Sequence, residues 1–180
     1  MGRAAVKSFG YANGAGEPLK DLLVRVRIRV DVAPARVHAV VVLPAGHHMP
    51  GLVDLLLQVC AVHAEGRPDL FVMGSRKYTD AELCALLTDD SKPVFVAVED
   101  ERVLGHAFCV VEDFRGSNNM QPHVTVYIDD ICVDESARGR GVATALYRHV
   151  VEFARGLGAH NVTLNVWSCN PGARAFYEKM

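Results

Sequence analysis

The segment Asp134-Glu135-Ser136-Ala137-Arg138-Gly139-Arg140-Gly141-Val142-Ala143 joins a β-branched run over 123–133 to residues 141–156, where Val142, Leu146, Val150, Val151 and Phe153 recur at helical spacing. A second β-branched run over 162–166 and a helix start at Pro171, continuing to residue 180, follow it. Strand, helix, strand, helix is the order of a crossover unit, which commits the chain to a sheet with helices packed on its faces. The turn itself is chemically suggestive. Small residues at Gly139, Gly141 and Ala143 let a phosphate approach the backbone, and the unpaired amides at a helix start favour an anion. Arg138 and Arg140 add charge-assisted donors, a combination suited to a pyrophosphate. A Walker A loop would need Lys-Ser or Lys-Thr after its last glycine, and a dinucleotide fingerprint would need three glycines in a parallel unit. Neither pattern is present.

Upstream, strand patterns over 93–99, 102–111 and 123–133 predict an antiparallel meander. Asp100-Glu101 makes a tight hairpin turn, and a polar loop over 115–119 precedes the third strand. Before them, 50–64 carries apolar residues at helical spacing, 67–71 reads as a turn with a short helix, and Thr79 or Asp80 caps a further helix. These helices are expected beside a substrate pocket. Residues 37–43 form a short β-rich run, and 22–32 alternates Val and Ile with Arg, as a strand with one buried face does. The first 20 residues, rich in Gly and Ala, are expected to be loosely attached. The expected architecture is α/β (α+β), a mixed, mostly antiparallel sheet flanked by helices.

At 180 residues the chain has the size of one ordinary domain, here with an extension over 1–36 and the main unit over 37–180. The extension holds seven Lys/Arg against three Asp/Glu, which suits either a solvated strand face or a docking surface for an anionic partner. The whole chain has net charge -2, which gives no reason to expect a nucleic-acid partner. No apolar run reaches the roughly 20 residues that span a bilayer, and no secretion signal opens the chain, so no membrane partner is expected. Five scattered cysteines without a CxxC pair read as reduced, buried thiols in a cytoplasmic protein. His47, His48 and His63 have no partners at ligand spacing, so no metal is expected, and Cys109 has no obvious His partner for a nucleophilic role.

Two motifs together resemble a known family. Arg138-x-x-Gly141-x-Ala143 is similar to the Q/R-x-x-G-x-G/A signature of the GNAT acetyltransferases, and Asn170-Pro171-Gly172-Ala173-Arg174-Ala175-Phe176-Tyr177-Glu178-Lys179 resembles their N-x-x-A-x-x-F-Y-E-K motif. The resemblance implies acetyl-CoA as cosubstrate and a sheet whose central strands splay. It implies that main-chain groups of Ile131, Cys132 and Val133 hold the pantetheine arm, with the Cys132 thiol incidental. It places the pyrophosphate over Arg138, Gly139, Arg140, Gly141, Val142, Ala143 and Thr144, with Asn170 and Ala173 also at the cofactor.

The resemblance further implies an enzyme that passes an acetyl group to a primary amine of a small molecule by direct attack. Tyr177 matches the family's acid, the alternative being an aromatic core residue with a hydrogen-bonded hydroxyl, and Asn170 is explained equally by a helix cap. Tyr127-Ile128-Asp129-Asp130-Ile131-Cys132-Val133 is similar to the Y-L-E-D-x-x-V run of the polyamine acetyltransferases, which makes Asp129 the expected base, directly or through water, the alternative being that one or both carboxylates are solvated or bind a cationic substrate. Neighbouring strand residues face opposite sides, so Asp129 and Asp130 can share a pocket only if a bulge intervenes. Other readings on the same scaffold are a CoA-binding regulatory module without turnover and a protein N-terminal or lysine acetyltransferase. Family members continue into a final strand, whereas this sequence stops on the helix at Met180 and leaves a sheet edge uncovered. The alternating segment over 22–32, from this chain or a neighbour's in a homodimer, is expected to cover that edge.

Overall fold

The computed structural model describes residues 5–8, 23–29, 41–44, 48–167 and 170–180. The rest of the Gly/Ala-rich start, 30–40 of the expected strands, His47 and Cys169 lie outside the described residues. Seven strands are hydrogen-bonded in one sheet: β1 (Ala5–Ser8), β2 (Leu23–Arg29), β3 (Val41–Pro44), β4 (Val94–Glu99), β5 (Arg102–Asp113), β6 (Val124–Val133) and β7 (Asn161–Trp167). Their spatial order is β1-β2-β7-β6-β5-β4-β3. The β6–β7 pair is parallel and the others are antiparallel, as the mixed, mostly antiparallel expectation requires.

Helices cover both faces. The α1 (Met49–Gly66) and α2 (Asp80–Leu87) side buries Leu52, Leu55, Leu56 and Leu83 against Val94, Val96, Val103 and Phe108. The opposite core gathers Leu146 and Val150 of α3 (Val142–Gly156) and Tyr177 of α4 (Pro171–Lys179) with Phe95, Ala97, Val126 and Leu164. Along β4 successive residues alternate between the two cores, which is why the strand reads as continuous apolar sequence. Each fully buried Leu in these layers contributes about 1.5–3 kcal/mol by leaving water.

Local sequence explains most boundaries. Thr79 caps α2 and forms a capping box with Glu82, in line with the expected start. Asp100 (φ 46°) and Glu101 (φ 66°) close the β4–β5 hairpin in the left-handed conformation that a two-residue turn of matching twist demands. The expected short helix at 67–71 is absent. Residues 68–70 form a turn, because Pro68 and the Arg67–Asp69 ion pair close the chain locally after α1 ends. The expectation for 22–32 is met within one chain over the described residues 23–29, since β2 lies antiparallel along β7 from Leu23 opposite Trp167 to Arg29 opposite Asn161.

Candidate active site

The parallel ladder between β6 and β7 runs from Thr125 opposite Asn161 to Ile128 opposite Leu164 and then stops. Beyond it, β6 continues to Val133 paired with β5 alone, and β7 continues to Trp167 paired with β2. The strands therefore splay. Half of the backbone groups of 129–133 point away from β5 into the gap, where no β7 residue answers them.

A bulge sits at the point of divergence. Phe108 faces Asp130 and Cys109 faces Ile128, so Asp129 is the extra residue. The packing records the change of face. Ile128 belongs to the α3-side core, whereas Cys132, an even number of residues later, belongs to the α1-side core. This inserted residue lets the adjacent carboxylates of Asp129 and Asp130 line one cavity.

Two cavities meet at the splay. The first, about 490 Å³, is lined by Arg138, Gly139 and Ala143 of the glycine turn, by Ile131, Cys132 and Val133, and by Asn170, Ala173 and Tyr177. The second, about 580 Å³, is lined by Asp129, Lys77, Phe71, Trp167 and Leu56 among others. His63, Asp130 and Tyr177 are the titratable side chains common to both.

The glycine turn fits an anion. Gly139 (φ 76°) and Gly141 (φ 85°) adopt left-handed conformations, and nothing lies within 4 Å of where either Cβ would be. No side chain caps the start of α3, so its first amides stay available, in contrast to α2 with its capping box. Arg138 lines the cavity, but Arg140 does not. The Arg140 guanidinium bonds both oxygens of Glu99 at 2.6 and 2.7 Å on the outer surface. Gly141, Val142 and Thr144 are likewise absent from the cavity wall, Val142 because it is packed into the α3-side core. Asn170 accepts a hydrogen bond from the Ala173 amide at 3.0 Å, so it caps α4 while also facing both cavities.

Protonation states follow from burial. Burial, then the charge of Asp130, keeps the Tyr177 phenol far above its ordinary range, so it remains a proton donor at neutral pH. Burial pushes the Cys132 thiol up to about 12, which leaves it a small hydrophobe and not a nucleophile. His63 is shifted down, chiefly by burial. Burial works to lower the Lys77 ammonium, but its 2.5 Å contact with Asp129 outweighs that and raises it. The cysteine expectation fails at one place: Cys84 is exposed, on the outer side of α2.

Several site residues follow no sequence motif. His63, Phe71 and Trp167 form a cluster of rings with centroids 5.0–5.6 Å apart along the second cavity. They come from α1, the following turn and β7. Gln58 of α1 binds Asp134 and the Glu135 amide at 3.2 Å, tying α1 to the glycine turn. The segment 70–77, and not α2, makes the wall opposite β6.

Comparison with known proteins agrees with this architecture. The model of the acetyltransferase (GNAT) family matches residues 59–180. Probable glucosamine 6-phosphate N-acetyltransferase 2 of Oryza sativa subsp. japonica is 31% identical over 148 residues, 76% of each chain. Glucosamine 6-phosphate N-acetyltransferase 1 of the same plant is 42% identical over 53 residues, 29% of this chain and 30% of that one. Among solved structures, a tetramutant of the BH1408 protein from Bacillus halodurans superposes with TM-score 0.72 at 23% identity, covering 77% of this chain and 90% of that one. The chain belongs to the GNAT acetyltransferase family. It is an acetyl-CoA-dependent N-acetyltransferase, with the splayed sheet of that fold.

Proposed function

We propose that the protein transfers an acetyl group from acetyl-CoA directly to a primary amine of a small molecule. The observation that carries this reading is the junction of two cavities at the β6–β7 splay. One is bounded by an uncapped helix start with Arg138, the other by a carboxylate pair and an aromatic wall. The diphosphate of CoA would lie on the turn at 138–143 and its pantetheine arm along 131–133, which leads the thioester to Tyr177. The amine attacks the thioester carbon, a main-chain amide of β6 stabilises the developing oxyanion, and Tyr177 protonates the departing sulfur. A carboxylate of the Asp129–Asp130 pair accepts the amine proton. The second cavity, about 580 Å³, is of a size to take a small acceptor. The division into an extension over 1–36 and a catalytic unit over 37–180 belongs to the same reading, with β2 serving as the edge partner of β7.

Calorimetry with CoA, followed by thiol release from acetyl-CoA with phenethylamine, spermidine, glucosamine 6-phosphate and a lysine peptide, tests the proposal. Glucosamine 6-phosphate enters the panel because of the Oryza relatives and because Arg76 and Lys77 lie together on the rim. Turnover with a small amine is the expected result. Tight CoA binding without turnover on any amine would mark a regulatory module instead, and turnover on the peptide alone would mark a protein acetyltransferase.

A further inference from the structure

We propose that Asp130, and not Asp129, accepts the proton of the attacking amine, with the buried His106 as its positioning residue; this rests on the acetyltransferase reading above. The first ground is placement. Attack has to occur where the two cavities meet, and Asp130 lines both, together with His63 and Tyr177, whereas Asp129 lines the acceptor cavity alone.

The second ground is what each carboxylate already holds. Asp129 Oδ2 receives the Lys77 ammonium at 2.5 Å and the Tyr78 hydroxyl at 3.2 Å. A carboxylate paired with an ammonium stabilises the protonated amine, whereas a nucleophile must be neutral. Asp129 is therefore suited to recruit a substrate ammonium in exchange for Lys77. It is poorly placed to deprotonate it.

Asp130 has a different partner. Its Oδ2 lies 3.1 Å from Nε2 of His106, a side chain with no solvent exposure, wedged edge-on against Phe108 at 4.8 Å between centroids. Nδ1 of the same ring is buried without a hydrogen-bond partner. A proton on Nδ1 would be an orphaned buried donor, so the ring carries its proton on Nε2 and donates it to Asp130. That bond fixes the carboxylate and leaves its second oxygen for the amine proton. Titratable groups facing Asp130 are His106 of β5, His63 of α1, Asp129 and Cys132 of β6, and Tyr177 of α4.

The step balances as follows. The amine passes a proton to Asp130 as its lone pair forms the C–N bond, and the C–S bond breaks with its electron pair on sulfur. Tyr177 protonates the sulfur, and solvent then returns the Asp130 proton to the phenolate. The products are the amide and the CoA thiol.

The test compares kcat and acceptor KM of Asp130→Asn, Asp129→Asn, His106→Asn and Asp130→Glu at one fixed pH, using the amine of the panel with the highest kcat/KM. Calorimetry with CoA verifies that each variant is folded. D130N is expected, with CoA affinity unchanged, to lose about 10²–10⁴ in kcat, the usual share of a general base. D130E recovers part of it. D129N is expected to act on acceptor KM, by about tenfold for a charge-assisted contact, more than on kcat. H106N is expected to lower kcat while acceptor KM and CoA affinity stay within about threefold of the parent, a split that loss of packing alone would not give. If D129N lowers kcat by about 10²-fold or more and D130N stays within about threefold of the parent in kcat, the assignment is overturned. A parent protein that binds CoA yet acetylates no amine overturns the function itself, and this inference with it.

Discussion

The two cavities that meet at Tyr177 are built by opposite means. The side we propose for the cofactor is mainly backbone: a turn with two left-handed glycines, an uncapped helix start and an unpaired strand margin at 131–133. The acceptor side is mainly side chains drawn from α1, the 70–77 segment, β6 and β7, with rings and an ion pair facing one another. A backbone cradle recognises the same phosphate and amide groups whatever side chains surround it, so one cofactor can be kept across a family. A wall of side chains changes with each substitution.

The largest effect that would test this division is at the junction. Tyr177→Phe keeps the buried ring and removes the donor, and kcat should fall by about 10²-fold or more, with the CoA dissociation constant changed by less than about threefold. A loss confined to CoA affinity would break the comparison, because Tyr177 would then belong to the cofactor side alone.

Next in size is Arg138→Ala. Losing a charge-assisted contact to phosphate costs about 1.5–3 kcal/mol, or tenfold and more in CoA affinity by calorimetry, with acceptor KM unaffected. Arg140→Ala should change CoA affinity by less than about twofold, because its guanidinium is held by Glu99 on an exposed surface where ion pairs contribute little. The mirror experiment is Phe71→Ala. Removing one ring of the wall should raise acceptor KM about five- to tenfold, in keeping with roughly 1 kcal/mol for an aromatic contact, without weakening CoA binding.

The smallest effect uses a second tyrosine as a control. Tyr147 lies 6.5 Å from Tyr177 between ring centroids, is buried, lines neither cavity, and has a hydroxyl without a partner. Burial pushes its phenol up to about 12. The unfolded chain titrates near 10, so the hydroxyl leaves stability independent of pH below 10 and makes it fall as pH rises from there toward about 12. Tyr147→Phe should leave kcat unchanged, raise stability by about 1 kcal/mol in urea unfolding at pH 7, and flatten part of the alkaline loss.

Much of this was legible in the residues. The helix starts at Thr79 and Asn170, the Asp100-Glu101 hairpin and the glycine turn depend on neighbours three or four positions away, so local pattern was enough. The coverage of β7 by the alternating segment was also readable, since strict alternation of Val or Ile with Arg suits a strand that pairs at an edge. The short helix at 67–71 and the burial of Cys84 were misjudged. The first was decided by a local ion pair and the second by the outward face of α2.

What the amino-acid order determined by itself was the sequence of elements and the place for an anion, because periodicity, capping and left-handed glycines are short-range properties. Only the tertiary structure decided how the acceptor side is arranged. The bulge at Asp129 arises from a register shift against β5, the His106–Asp130 contact spans two strands, and the Lys77–Asp129 pair joins residues 52 apart. Those contacts exist because burial of the two cores brings distant segments together, and no local pattern records which distant side chain will be met.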